Sequence, residues 1–471
     1  MKREAGVLCA VSSLPGSFGV GDIGDAYRFV DYLTLSGAKI WQILPLNPLG
    51  YGNSPYQTYS SFAGDEIYIS IELLYKELKL SLNFETVKTS VALYDCTRST
   101  KHKLLVDAFK HFKRTSEYNQ FTKKAFWLDE YTKFMTLRKE NNLLPWTNWT
   151  KFYVDENEVD FQKFLQYVFY KQWQDLKRYA NKNGIKIMGD IPIYLGHDSA
   201  EVYFNKEWFY LNEDGSPKLV AGVPPDYFSD DGQLWGNPIY NWDVMKQTNY
   251  DYWINRLRWN QELFDVIRLD HFRAFDTYWI IPGDSQTARV GEWKYGPSND
   301  FFNEVYQRIA DIQLVVEDLG DLRPEVLKLR DDYNMMGMQI IQFALKSEEI
   351  VRDKTMRENI LIYTGTHDNQ PLGGWEKSNS LIKKLQVRLD IAKTGIKEFS
   401  IIDTICHYTL SLNALWVILP LQDLLRLDSS ATMNSPGTVG SPNWEWKLED
   451  YDKIEKGFKR FSRWLKKTKR Y

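Results

Sequence analysis

Cysteine is scarce: Cys9, Cys96 and Cys406 are odd in number and far apart in a chain of 471 residues. That excludes a disulfide framework and a CxxC metal site, and makes a reducing cytosol the expected compartment. Long apolar runs are missing too. The run 7–11, after Met1-Lys2-Arg3, is too short for the core of a signal peptide, and no stretch approaches the roughly 20 apolar residues of a spanning helix. Neither sign of charge is in excess, since 59 Lys and Arg against 62 Asp and Glu leave a net −3. Neither a nucleic acid nor an anionic membrane is therefore the expected partner. No HxH, HExxH or G-x-S-x-G pattern occurs, and there is no internal repeat. Gly19-Val20-Gly21-Asp22-Ile23-Gly24 has the spacing of a dinucleotide fingerprint, but it follows no Rossmann context and carries little weight.

What is abundant is aromatic: 15% of the chain, including 17 Trp and 29 Tyr. Many of these rings sit among Gly, Pro, Asn and Asp, as at 51–56 and 234–238, and loop aromatics touch ligands more often than helical ones do. Eight short apolar runs have strand character: 7–11, 40–46, 185–193, 266–272, 314–319, 338–344, 359–364 and 414–421. Most are continuous rather than alternating, the mark of parallel strands covered on both faces. Helical patterns lie between several of them. The clearest is Phe161, Phe164, Leu165, Val168, Phe169, Trp173 and Leu176, stopped by Asn183-Gly184. Ala26, Phe29, Val30 and Leu33 before Gly37 form another, and Pro324 opens a third.

Eight strands with helical crossovers predict an α/β fold, a (β/α)8 TIM barrel spanning 1–471. Two connections exceed a plain crossover: 47–184, expected as a mostly helical insertion, and 194–265, expected as a loop-rich insertion over the active site. At the C-terminus, Ile454, Phe458, Phe461, Trp464 and Leu465 recur at helical spacing among nine basic residues between Lys453 and Arg470. A helix closing the barrel with a solvated basic face is the expected reading, and a membrane-surface helix the alternative.

The stretch Val266-Ile267-Arg268-Leu269-Asp270-His271-Phe272-Arg273 runs from a buried strand straight into charge. Arg268, Asp270, His271 and Arg273 are costly to bury unless paired or used. A carboxylate flanked by two arginines suits a nucleophile or a substrate clamp; a structural Arg-Asp pair is the plain alternative. Acids recur at the ends of neighbouring strands: Asp190 in the third, Asp270 in the fourth, Glu317 and Asp318 in the fifth, and Asp368 after the seventh. In a barrel these ends converge, and like charges make an expensive scaffold, so they point to a site. One carboxylate attacking an anomeric carbon while another protonates the leaving oxygen is the pairing that glycosidic-bond chemistry requires. His197, His271 and His367 each stand beside an Asp, but on separate strand ends. Neutral donors to sugar hydroxyls are expected there rather than metal ligands, so no metal and no cofactor are assigned.

Three blocks in this chain resemble the catalytic blocks of the 4-α-glucanotransferases, the amylomaltase or disproportionating-enzyme family. They are Arg268-Leu269-Asp270-His271-Phe272-Arg273, Val316-Glu317-Asp318-Leu319-Gly320 and Thr364-Gly365-Thr366-His367-Asp368-Asn369. Flanking motifs agree in order from about residue 5 to 447, among them Ser12-Ser13-Leu14-Pro15, Gly189-Asp190-Ile191-Pro192-Ile193-Tyr194 and Met433-Asn434. The resemblance implies an α-amylase-clan barrel without a C-terminal β-sandwich, and a retaining, two-step transfer of α-1,4-glucan segments between maltodextrins or to glucose. It assigns Asp270 as nucleophile, Glu317 as general acid/base and Asp368 as the carboxylate gripping sugar hydroxyls. Tyr56 matches an aromatic platform, and Asp190, Asp226, Trp235, Arg268, His271, His367 and Asn434 match sugar-contacting or site-shaping positions. The apolar Val315, Val316 and Leu319 suit a raised pKa at Glu317. Ala274, Val316, Asp230-Asp231 and Gln370-Pro371 depart from the family pattern, which bears on loop geometry and chain-length preference. An α-glucan hydrolase with water as acceptor, and a non-catalytic glycan-binding protein on a degenerate barrel, are the alternatives.

Overall fold

In the computed structural model, which describes residues 2–225, 230–346, 350 and 357–471, each of the eight apolar runs supplies one strand of a single parallel sheet. The strands in chain order are β1 (Glu4–Leu8), β2 (Ile40–Gln42), β3 (Lys186–Ile191), β4 (Leu219–Val223), β5 (Gln233–Pro238), β6 (Val266–Leu269), β7 (Thr277–Pro282), β8 (Glu292–Tyr295), β9 (Leu314–Val316), β10 (Gly337–Ile340), β11 (Ile360–Tyr363) and β12 (Trp416–Pro420). The parallel sheet has the order β10-β11-β12-β1-β2-β3-β6-β9. Its ends meet: Val315 and Met336 form a parallel bridge, and Val316 N–H donates to the Met336 carbonyl at 2.8 Å. The sheet is thereby closed into the expected (β/α)8 barrel.

Side chains alternate across each strand and divide the apolar residues into two sets. Leu8, Ile40, Met188, Val266, Val315, Met338, Leu361 and Ile418 pack together on the barrel's inner side. Val7, Trp41, Ile187, Ile267, Leu314, Ile362 and Val417 join the larger core shared with the helices. Burial on both faces is why the runs read as continuous. Most of the strands are shorter than the runs, however. The chain leaves β1 for a 3-10 turn at Val11–Ser13 and β10 for another at Ile341–Ala344, because the ladder gives way to polar loops at the rim.

The helix Glu156–Lys182 buries the predicted stripe, with Trp173 and Leu176 fully inside. The glycines at 19–24 prove to be a helix start: Asp22 caps Ile23–Ser36 in a capping box with Asp25, and Gly37 at φ 88° ends that helix. The C-terminal helix Ile454–Lys467 buries Ile454, Phe458, Phe461, Trp464 and Leu465, packing Phe458 against Phe29 of that same first helix. Beyond it, the buried Arg470 guanidinium donates to the carbonyls of Leu410, Glu4, Leu415, Leu412 and Ala414, pinning the chain's end under the barrel. Among the described residues no helix is long and apolar enough to cross a membrane.

Residues 47–184 hold the helices Ile71–Leu78, Tyr94–His111, Ser116–Lys124 and Leu128–Glu140 ahead of Glu156–Lys182. Sequence reading assigns no strand to 194–265 or to the stretch after β6, but the structure forms a second sheet there. It is antiparallel, in the order β5-β4-β7-β8. Its outer strands hide from pattern reading: β5 contains Gly236 at φ 76° and ends in Pro238, and every residue of β8 is exposed.

Candidate active site

Register brings the first pair together. Asp190 on β3 lies directly opposite Arg268 on β6, and Arg268 Nη1 donates to both Asp190 oxygens at 2.7 and 2.8 Å. Gly189 beside it must be a glycine, since a Cβ would sit 2.2 Å from the Phe264 ring. The same guanidinium nitrogen stands 2.9 Å from Asp270 Oδ1. The Arg268 and Asp190 side chains are 4% and 0% exposed, whereas Asp270 keeps 26%. The buried half of this triad therefore faces inward, and Asp270 faces the cleft. Burial alone works against the Arg268 charge, but Asp190 and Asp270 outweigh it and hold the guanidinium well above its ordinary value. For Asp190 the balance goes the other way: burial raises its carboxyl despite Arg268.

At the end of β6 the chain makes an unusual turn. Asp270 N–H still bonds to the Ile191 carbonyl at 3.0 Å, and then His271 adopts a left-handed backbone, φ 47°, a conformation uncommon outside glycine. That turn aims the His271 N–H at Glu317 Oε2, 3.0 Å away, while Leu319 N–H reaches Oε1 at 3.3 Å. Two main-chain donors thus fix the Glu317 carboxyl beside Asp270. Burial, followed by repulsion from Asp270, outweighs Arg268 and these donors and pushes Glu317 from 4.5 up to about 8. The His271 ring is pushed down to about 4 by burial, which leaves it neutral near pH 7, edge-on to Trp235 at 4.8 Å and 89°.

The opposite wall comes from the loop after β11. Asn369 Oδ1 accepts from Thr366 N–H at 2.8 Å, folding 366–369 into a tight turn that presents His367 and Asp368. Asn434, from the loop after β12, donates through Nδ2 to Asp368 Oδ1 at 2.6 Å and through its backbone N–H to the His367 carbonyl at 3.1 Å. His367 Nε2 lies 3.3 Å from Asp368 Oδ2. Tyr56 stacks on the His367 ring at 5.2 Å and 15° and donates its hydroxyl to Asp190 at 2.8 Å, so it bridges the two walls.

The structure thus brings Tyr56, Asp190, Arg268, Asp270, His271, Trp235, Glu317, His367, Asp368 and Asn434 to one rim of the barrel. Asp226 lies outside the described residues. His197 points elsewhere, with Nε2 bonded to the Gly215 carbonyl at 2.8 Å. Among the described residues no group of three or more His, Cys, Asp or Glu is placed to hold a metal ion. Sequence reasoning missed Trp444, whose ring packs on both Tyr56 (5.6 Å) and His367 (5.9 Å). It also missed Gln57, which ties the Tyr56 loop to the Trp235 carbonyl at 3.0 Å; proximity to Tyr56 was its only signal. Of the departures, Asp231 pairs with Arg289, Ala274 is buried in the turn Phe272–Phe275, Val316 is buried at the end of β9, and the Gln370 backbone carbonyl accepts from Gln342 Nε2.

Comparison with known proteins shows the family. The family described as 4-alpha-glucanotransferase matches residues 9–453. A 4-alpha-glucanotransferase of Thermus thermophilus is 37% identical over 477 residues, covering 95% of each chain. One of Synechocystis sp. is 38% identical over 482 residues, covering 95% of this chain and 94% of its own. The solved amylomaltase from Streptococcus agalactiae, in complex with acarbose, superposes with a TM-score of 0.94 at 33% identity, covering 100% of both chains. With its barrel, its rim of carboxylates and these relatives agreeing over nearly the whole length, the chain belongs to the 4-alpha-glucanotransferase family.

Proposed function

We propose that the chain transfers α-1,4-glucan segments between maltodextrins by a retaining double displacement centred on Asp270 and Glu317. An Asp270 oxygen attacks the anomeric carbon as the glycosidic C–O bond breaks, and Glu317 gives its proton to the departing oxygen. The 4-hydroxyl of an acceptor then returns a proton to Glu317 while its oxygen displaces Asp270, which leaves as carboxylate. Configuration is retained, and no step calls on a metal or cofactor. The observation that carries this reading is the pair of opposed environments: Asp270 stands against the Arg268 guanidinium, whereas burial holds the Glu317 carboxyl near 8. A carboxyl that keeps its proton is what the acid role requires.

Asp368, held by Asn434, grips sugar hydroxyls, and Tyr56 is the platform for the sugar at the cleavage point. Trp235, His271, His367, Asp190, Arg268 and Asp226 shape or contact the substrate. Acarbose in the Streptococcus agalactiae amylomaltase supports a glucan-like ligand here. The three free thiols Cys9, Cys96 and Cys406 suit a reducing cytoplasm.

Transfer and hydrolysis share the covalent intermediate. An acceptor sugar beats water at roughly 55 M only when it is bound and oriented, which supplies effective molarities far above that of solvent. Maltotriose alone should therefore yield glucose plus a ladder of longer maltodextrins with a nearly constant number of reducing ends. Rising reducing ends with no product above the starting length would establish the hydrolase instead.

A further inference from the structure

Strand β8 gives nothing to the core, yet it carries two large rings. Trp293 and Tyr295 are two residues apart, so they share one face of the strand, and they are 38% and 79% exposed. An edge strand displaying aromatic rings is costly to keep in water and signals use.

Both ends of this segment are tied to the cleft. Ala288 N–H donates to the Asp231 carbonyl at 3.0 Å and Arg289 Nε to the Asp231 carboxylate at 2.6 Å, anchoring it to the loop that leads into Trp235. Gly296 N–H donates to the Asp276 carbonyl at 2.7 Å. Arg273, three residues after Asp270, lays its guanidinium 4.0 Å over the Trp293 ring and donates to the carbonyl of Asp321 at 2.5 Å, four residues after Glu317. Arg323 lies 5.6 Å from the Tyr295 ring centre and 3.5 Å from Asp276. Trp279 meets Trp293 at 5.3 Å. The rings are held by groups that are themselves fixed to the loops following both Asp270 and Glu317. Both arginines already have oxygen partners.

We propose that Trp293 and Tyr295 form a remote glucan-binding platform on the cleft rim, taking sugar units of a long α-1,4-glucan while a nearer part of the chain occupies the carboxylates. The occupant follows from the ties of β8 to the loops after Asp270 and Glu317 and from chemistry, since flat aromatic faces stack on the C–H faces of glucose units. This rests on the transfer reading above, but it concerns long donors alone, with maltotriose as the short-donor control.

The test compares maltotriose and amylose as donors in Tyr295→Ala, Trp293→Ala and Tyr295→Phe, with oligomeric state followed by sedimentation. Tyr295→Ala and Trp293→Ala should raise KM for amylose about three- to tenfold and leave kcat and the maltotriose reaction unchanged, while Tyr295→Phe behaves as the parent. An unchanged amylose KM in both alanine variants overturns the platform, as does an equal shift for both donors. A dimer that falls apart in Tyr295→Ala overturns it in favour of self-association. A normal maltotriose ladder alongside any of these sinks the platform only; absence of the ladder in the parent enzyme sinks the transfer reading.

Discussion

The protonation of Glu317 can be tested by pH and leaving group together. Burial holds this carboxyl at about 8 rather than 4.5, so about nine in ten molecules carry the acid proton at pH 7, against about three in a thousand for an ordinary carboxyl. The environment thus multiplies the competent acid roughly 300-fold. The sign is fixed: the acid form is complete well below 8 and is lost as pH rises through it. The assay is kcat/KM from pH 5 to 10 for maltotriose and for α-maltosyl fluoride, whose fluoride departs without a proton. Maltotriose should show a limb falling tenfold per pH unit above about 8, and the fluoride should not. The same raised value means that the folded state holds a proton that the unfolded chain releases, so stability falls as pH climbs from about 4.5 to about 8. Glu317→Gln cannot ionise, and should gain in unfolding temperature over the parent between pH 5 and 9. A limb in the ordinary carboxylate range, or one of equal size for both donors, refutes the reasoning.

Asp270→Asn or Glu317→Gln should lower the rate on maltodextrin by at least roughly 10³-fold with an unchanged circular dichroism spectrum; near-normal turnover in a folded variant would remove that residue from its role. Arg268→Met strands the Asp190 carboxyl in the barrel and should cost about 3–5 kcal/mol in denaturant unfolding; a loss under about 1 kcal/mol would show the pair to be dispensable. Exhaustive chelation should leave activity intact, and a loss restored by a divalent ion would mean that His197, His271 or His367 had been misjudged.

The barrel and the acids at its rim are written locally. Each barrel strand buries both faces, so runs such as 185–193 and 266–272 stand out as unbroken apolar stretches, and the abrupt charge of Arg268, Asp270 and His271 marks where a strand meets the rim. Val315, Val316 and Leu319 likewise signalled an apolar setting for Glu317, although the repulsion from Asp270 that adds to it is a matter of folded distance.

What the tertiary structure alone decided are the partnerships between distant segments. Asp190 faces Arg268 because β3 and β6 are neighbours in one register, Tyr56 joins them across 134 positions, and Asn434 reaches Asp368 across 66. Trp444 enters the site from a loop with no periodic pattern. In the β5-β4-β7-β8 sheet, β8 was invisible because it buries no residue, and a strand without a buried face has no hydrophobic period to read. Sequence by itself determined which segments cross the core and which groups end them, because burial acts residue by residue. Which of those groups meet depended on closure of the barrel, because register and loop docking are properties of the whole chain.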